Sequence, residues 1–230
     1  MMYDLNSNLS ELIGAIIGDG LIRYKPDKNQ YYVEIVGSIK DEQQYLIYLQ
    51  KIINLELKVN SKISERCRGL RLRFYSKKFV EFLIFDLSMN YNKEKCLNIS
   101  IPNKIFNNST LLLPCLRGIV DTDGSLFLSN KSGKVYPIIE ISTISSKLAN
   151  QLREILSKSF RIGFRSYTPK NYNEIYRISL NGHLMVEKWF NLIGFSNFRN
   201  FQRFKKIKKM GRQGFEPWIQ DSAPLVTPFT

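Results

Sequence analysis

Two segments of this chain read alike: Leu12-Ile13-Gly14-Ala15-Ile16-Ile17-Gly18-Asp19-Gly20 and Leu116-Arg117-Gly118-Ile119-Val120-Asp121-Thr122-Asp123-Gly124. Each is an apolar, helix-like run with glycine in third place and Asp-Gly at its end. Such a run buries its apolar length and delivers one carboxylate at its C-terminal end, where the following glycine is expected to turn the chain out of the helix. If the two runs pack side by side, Gly14 and Gly118 let the backbones come closer than the usual roughly 8–10 Å between helix axes. Two carboxylates then meet.

The stretch after each copy is also repeated. After Asp19, residues 21–25 and 31–36 flank the turn-forming Pro26-Asp27-Lys28-Asn29 and predict a hairpin. Tyr45, Leu46, Tyr48, Leu49, Ile52 and Ile53 recur at helical spacing within residues 40–57. Alternation predicts strands over 58–66 and 70–75, and a short helix through Phe79, Val80, Phe82 and Leu83 closes the half. Past Asp123 the order returns: a hairpin over 125–128 and 135–142, a helix through Leu148, Leu152, Ile155 and Leu156, strands over 160–167 and 175–180, and an amphipathic helix over 184–192. Asp19 and Asp123 lie 104 residues apart, too far for a solenoid period and suited to duplicated domains. The expected organisation is a first repeat over 1–100, a linker over 101–109 where Pro102 interrupts any helix, a second repeat over 110–209, and a disordered or loosely packed tail over 210–230. Asn108 and its neighbours can cap the helix after the linker. Pro114 is expected near the first turn of that helix, making it short.

With 230 residues, 43% of them hydrophobic, the chain can bury a real core. Its 34 Lys and Arg against 20 Asp and Glu give a formal charge of +14, and a surface that positive attracts polyanions, most simply nucleic acid. Cys67, Cys96 and Cys115 share no Cys-x-x-Cys spacing and His183 is the only histidine, so a zinc site is not expected. The odd cysteine count and an N-terminus unlike a signal peptide point to a reducing, intracellular setting, with prokaryotic cytoplasm and organelle equally compatible. No apolar run approaches the roughly 20 residues that span a bilayer. No membrane is expected.

Strand alternation separates two faces. Ile22, Tyr24, Val33, Ile35, Val59, Ile63, Leu70, Leu72 and Phe74 would face helices; Arg23, Lys25, Tyr32, Glu34, Lys58, Lys62, Arg66, Arg71, Arg73 and Tyr75 would face outward. In the second half Phe160, Ile162 and Phe164 alternate with Arg161 and Arg165, and Tyr176 and Ile178 with Arg177 and Ser179. Arg and Lys on strands can pair with guanine edges or phosphates, and Glu34 and Glu140 could accept from cytosine. The run Arg199, Arg203, Lys205, Lys206, Lys208 and Lys209 suits phosphate contact or a solvated face.

Phosphodiester hydrolysis is assisted by divalent cations, and hard cations take oxygen ligands. Asp19 and Asp123, fixed at helix ends by the packing of Gly14 and Gly118, would supply them to Mg²⁺, with Mn²⁺ as a substitute. Asp121 has Ile17 in its place in the first copy, so a structural role is assigned to it.

The two segments resemble the motif that names the LAGLIDADG homing endonucleases, and the resemblance spans roughly residues 5–205. Lys95-Cys96 followed by Ile101-Pro102, and Ile193-Gly194-Phe195-Ser196-Asn197, are similar to the family's landmarks at the ends of the two halves. The resemblance implies an α+β fold of two pseudo-symmetric αββαββα repeats packed through the two motif helices, with antiparallel sheets forming a DNA-binding saddle. It implies a monomeric, site-specific endonuclease that hydrolyses both strands of a long duplex. Asp19 and Asp123 would bind catalytic metal, helped by the carbonyls of Gly18 and Thr122, and Lys95 and Arg199 would stand near the scissile phosphates. Arginine does not readily give up its proton, so unequal sites and nicking of one strand before the other are expected. The rival readings are an RNA-binding maturase of the same fold acting on intron RNA, and a DNA-binding regulator that cuts nothing.

Overall fold

The computed structural model describes residues 3–66, 69–92, 95–131 and 134–212. The first half runs α1 (Ser7–Ile17), β1 (Gly20–Lys25), β2 (Gln30–Ser38), α2 (Gln43–Ile52), β3 (Ser61–Arg66), β4 (Gly69–Tyr75) and α3 (Lys77–Glu81). Two short helices, α4 (Lys95–Asn98) and α5 (Asn103–Phe106), lead to the second half. This comprises α6 (Ser109–Thr122), β5 (Gly124–Lys131), β6 (Lys134–Thr143), α7 (Ser146–Ser157), β7 (Ile162–Tyr167), β8 (Ile175–Asn181), α8 (His183–Leu192) and a further helix, α9 (Phe198–Arg212). Helix-strand-strand-helix-strand-strand-helix is thus present twice, as the periodicities predict.

Local chemistry sets the boundaries. Asn6 opens α1 by accepting from the Leu9 amide at 2.9 Å, and Asn108 opens α6 by accepting from the Thr110 amide at 3.0 Å. Between β1 and β2 the chain reverses through Asn29, whose φ of 49° is left-handed and suits asparagine. The sheets, β1-β2-β4-β3 and β5-β6-β8-β7, are antiparallel and share one strand order. In each, one face carries the buried Ile22, Val33, Ile35, Leu72 and Phe74, or Leu126, Ile139, Ile141, Ile178 and Leu180, against helices. These faces and the motif helices form one hydrophobic cluster that runs through both halves.

Several expectations change. Pro114 lies inside α6 rather than at its first turn, and the helix keeps its length at the loss of one backbone donor. The segment 101–109 is structured: Ile101 and Ile105 are buried, and the Gln151 side chain bonds both the amide (2.8 Å) and the carbonyl (3.0 Å) of Ile101. Pro102 starts α5 instead of interrupting a helix. Lys58, with φ of 56°, ends the helical turn after α2 and lies outside β3; Phe160 and Arg161 precede β7. Gly20 and Gly124 open strands without positive φ, so they supply close approach rather than a left-handed turn: a Cβ on Gly20 would strike Ile16, and one on Gly124 would strike Val120. Helix α9 carries the basic run to Arg212; residues 213–230, most of the expected tail, lie outside the described residues, as do Cys67 and Arg68 between the two predicted strands. Among the described residues no helix is long and apolar enough to cross a membrane.

Candidate functional site

The site is built on the crossing of α1 and α6. A Cβ on Gly14 would collide with the Cys115 carbonyl, and one on Gly118 with the Glu11 carbonyl. Advancing 104 positions carries Gly14 to Gly118 and Glu11 to Cys115, so one contact is the other under a local twofold axis. The Ser10 hydroxyl donates to the Leu111 carbonyl at 2.6 Å, and a Cβ on Gly18 would meet Thr122 Oγ1. Contacts therefore advance along both helices in the same sense. The helices are parallel, and their C-terminal ends come together.

At those ends Asp19 and Asp123 line one cleft of about 430 Å³ with Ile17, Gly18, Ile99, Ser142 and Thr143. Residues from both halves share it. Asp123 is exposed and Asp19 half-buried. Thr122 turns its hydroxyl back on its own helix, donating to the carbonyls of Gly118 (2.9 Å) and Ile119 (3.1 Å). Among the described residues no group of three or more His, Cys, Asp or Glu side chains is placed to hold a metal ion. A pair of carboxylates in an open cleft nevertheless fits a cation such as Mg²⁺, which keeps waters and shares phosphate oxygens instead of filling an all-protein cage.

The two basic residues part company here. Lys95 opens α4, and its side chain lies outside the described residues. Arg199 is not among the cleft-lining residues; its Nη1 lies 3.0 Å from Glu42 Oε1 in the other half.

On the first sheet Glu34 points to the outer face, yet its side chain is only 3% exposed. It is covered by Arg66 (2.8 Å to Oε1), Arg73 (Nε 2.9 Å from Oε2) and the more distant Arg71 (3.8 Å). In the unbound chain Glu34 thus holds arginines on the face expected to meet bases. Arg73 also lies 4.5 Å over the Tyr32 ring, and Arg23 Nε reaches the Tyr32 hydroxyl at 3.4 Å. Lys62 is exposed and Lys25 half-buried. On the second sheet Glu140 is the equivalent hub, with Arg165 at 3.2 Å and Arg177 at 3.4 Å, and these three border a concavity of about 470 Å³ with Gly163, Ser179 and Asn181. Arg161 is exposed just before β7.

Three polar groups at the seam had no place in the sequence reading, or only a general one. Glu11 is buried and accepts from Arg117 Nε (3.0 Å) and the Tyr48 hydroxyl (3.1 Å). Asp121 is fully buried and accepts from the amides of Ser196 (2.6 Å) and Asn197 (2.9 Å) and from Asn200 Nδ2 (3.0 Å). Burial pushes its carboxyl up to about 7, partly offset by these bonds. Its assigned structural role is thus specific: it ties the turn before α9 to the end of α6. Glu42 is the third. A charged residue inside an apolar run is the one signal that marks Glu11 and Asp121 in the sequence.

Paired sheets over two parallel helices that end in carboxylates define a two-repeat LAGLIDADG architecture. Known families agree: residues 9–85 match the WhiA LAGLIDADG-like domain and residues 111–207 match a LAGLIDADG-like domain. The chain therefore carries two LAGLIDADG-like domains, one in each half. Its fold is similar to that of the homing endonuclease I-DmoI in complex with DNA and Mn (22% identity, TM-score 0.56, 83% of this chain and 98% of that one). It is similar also to the homing endonuclease I-WcaI bound to its DNA recognition sequence (16%, TM-score 0.62, 88% of each chain). Full-length DUF199/WhiA from Thermatoga maritima matches at 13% identity and TM-score 0.55, over 93% of this chain and 62% of that one. No curated protein sequence matched.

Proposed function

We propose that the chain is a site-specific, divalent-metal-dependent DNA endonuclease that acts as a monomer. The observation that carries this reading is the meeting of Asp19 and Asp123 in one cleft at the ends of parallel helices, between two sheets whose outer faces carry arginine. One chain supplies both carboxylates, so no second copy is needed. Asp19 and Asp123 would hold Mg²⁺, or Mn²⁺ in its place, with the carbonyls of Gly18 and Thr122 at hand. When bound, the metal supplies positive charge to the phosphoryl oxygen and lowers the pKa of an attacking water. The chain's own part is placement: the carboxylates fix the cation, Lys95 adds charge beside one phosphate, and the arginines of both sheets orient the duplex. Solved relatives bound to DNA, and I-DmoI complexes with DNA and Mn or Ca, support this.

The test is cleavage of duplex DNA spanning the insertion site of the chain's own gene. Cutting of both strands with Mg²⁺, abolished by chelation, is expected; binding without cutting defeats the reading. A position of the gene inside an intron would support homing.

A second reading, a DNA-binding regulator, is favoured by the match of residues 9–85 to the WhiA domain. It requires equal DNA affinity with and without metal, and no cleavage. No observation favours intron RNA as the partner.

A further inference from the structure

Lys95 and Arg199 stand 104 residues apart, at equivalent places in the repeat. The residue before α2 is Glu42 and the residue before α7 is Ser145, and each reaches across to the other half. Ser145 Oγ donates to the Ile99 carbonyl, just after α4, at 2.7 Å. Glu42 Oε1 accepts from Asn197 Nδ2 at 3.1 Å and pairs with Arg199 Nη1 at 3.0 Å, at the start of α9. One latch is a neutral hydroxyl; the other is a carboxylate.

The Glu42 latch is firmly set. Its Oε2 accepts from the Ser38 amide at 2.7 Å, and Asn197 also donates to the Asp121 carbonyl at 2.8 Å. Side-chain exposure is 9% for Glu42 and 18% for Arg199, and Arg199 Nε is buried without a hydrogen-bond partner. A charge pair so little hydrated is strongly coupled, and drawing the guanidinium away would leave a buried carboxylate uncompensated.

We propose that Glu42 is a positioning residue that keeps the Arg199 guanidinium on the protein and withholds it from the nucleic-acid backbone. The inference rests on the reading that the cleft binds duplex DNA. A phosphate must compete with Glu42 for this cation, whereas Ser145 presents no competing charge at the equivalent place.

The salt dependence of binding to a duplex, measured without metal, tests this independently of cleavage. Each additional phosphate neutralised by the protein steepens the slope of log affinity against log salt by about 0.9. Glu42→Gln, which retains an acceptor for the Ser38 amide, and Glu42→Ser, which copies the other half, should each free Arg199 to neutralise one more phosphate. The extra loss of affinity between 50 and 200 mM salt is then about 3.5-fold. Adding Arg199→Ala to either should return the native slope; thermal melts establish that each variant is folded. An unchanged slope in both folded Glu42 variants, or a native slope that flattens on Arg199→Ala alone, overturns the inference while leaving DNA binding intact. Absence of duplex binding in every variant overturns the underlying reading with it.

Discussion

The Glu11 carboxylate on one motif helix accepts from the Arg117 guanidinium on the other, Nε lying 3.0 Å away. Glu11 is 1% exposed, so removing its partner strands a charge in the core. Arg117→Met is expected to destabilise the chain by about 3–5 kcal/mol in urea unfolding, and Glu11→Leu combined with Arg117→Met by much less. Equal losses would mean that the pair matters for its shape, not its charge.

Gly14 and Gly118 have no room for a methyl group, because the obstacle is backbone: the carbonyls of Cys115 and Glu11. Alanine at either position should cost at least about 1–3 kcal/mol by overpacking. Because the same crossing sets the separation of Asp19 and Asp123, cleavage should fall by more than the loss of folded protein accounts for. Circular dichroism melts and a plasmid cleavage assay on the same preparations separate the two effects.

Asp19→Asn and Asp123→Asn retain shape and remove charge from the cleft. Each should lower metal-dependent cleavage by on the order of 10²-fold or more while duplex binding at fixed salt persists. Native cleavage rates in a variant lacking both carboxylates would end the catalytic assignment.

Asp121 gives the folded chain a distinctive response to pH. Burial holds its carboxyl up to about 7, against an ordinary value of 3.8. The native state keeps a proton that the unfolded chain has already released, so the Asp121 contribution is fully present below about pH 4 and is lost as pH rises through 7. Stability should decline across that window, and Asp121→Asn should flatten the decline. Urea midpoints taken across the window, for both proteins, decide it.

Much of the fold was legible because its signals are local. Alternation in β2 and β4, helical spacing in α2 and α7, and the spacing of the two Asp-Gly ends each lie within a few residues or one repeat. The cleft could be read from the repeat itself, since equivalent residues of a duplicated fold meet at its axis. Helix α9 was missed although Phe198, Phe201, Phe204 and Ile207 recur every third residue; the lysines between them drew the reading toward a solvated run. The Glu42–Arg199 pair joins residues from opposite ends of the chain, and no periodicity points to such a partner. Glu34 was placed on the correct face by alternation, but that period says nothing of how guanidinium groups fold over a carboxylate.

The twofold seam also chooses its own mate. The counterpart of Arg117 in the first half is Ile13, 104 positions earlier and buried. Two first halves brought together through their motif helices would bury two Glu11 carboxylates and no guanidinium. Glycine makes the crossing possible for either combination, but charge makes it favourable only between unlike halves. The seam thus discriminates against a second copy of the first half by charge, although its glycines would admit one.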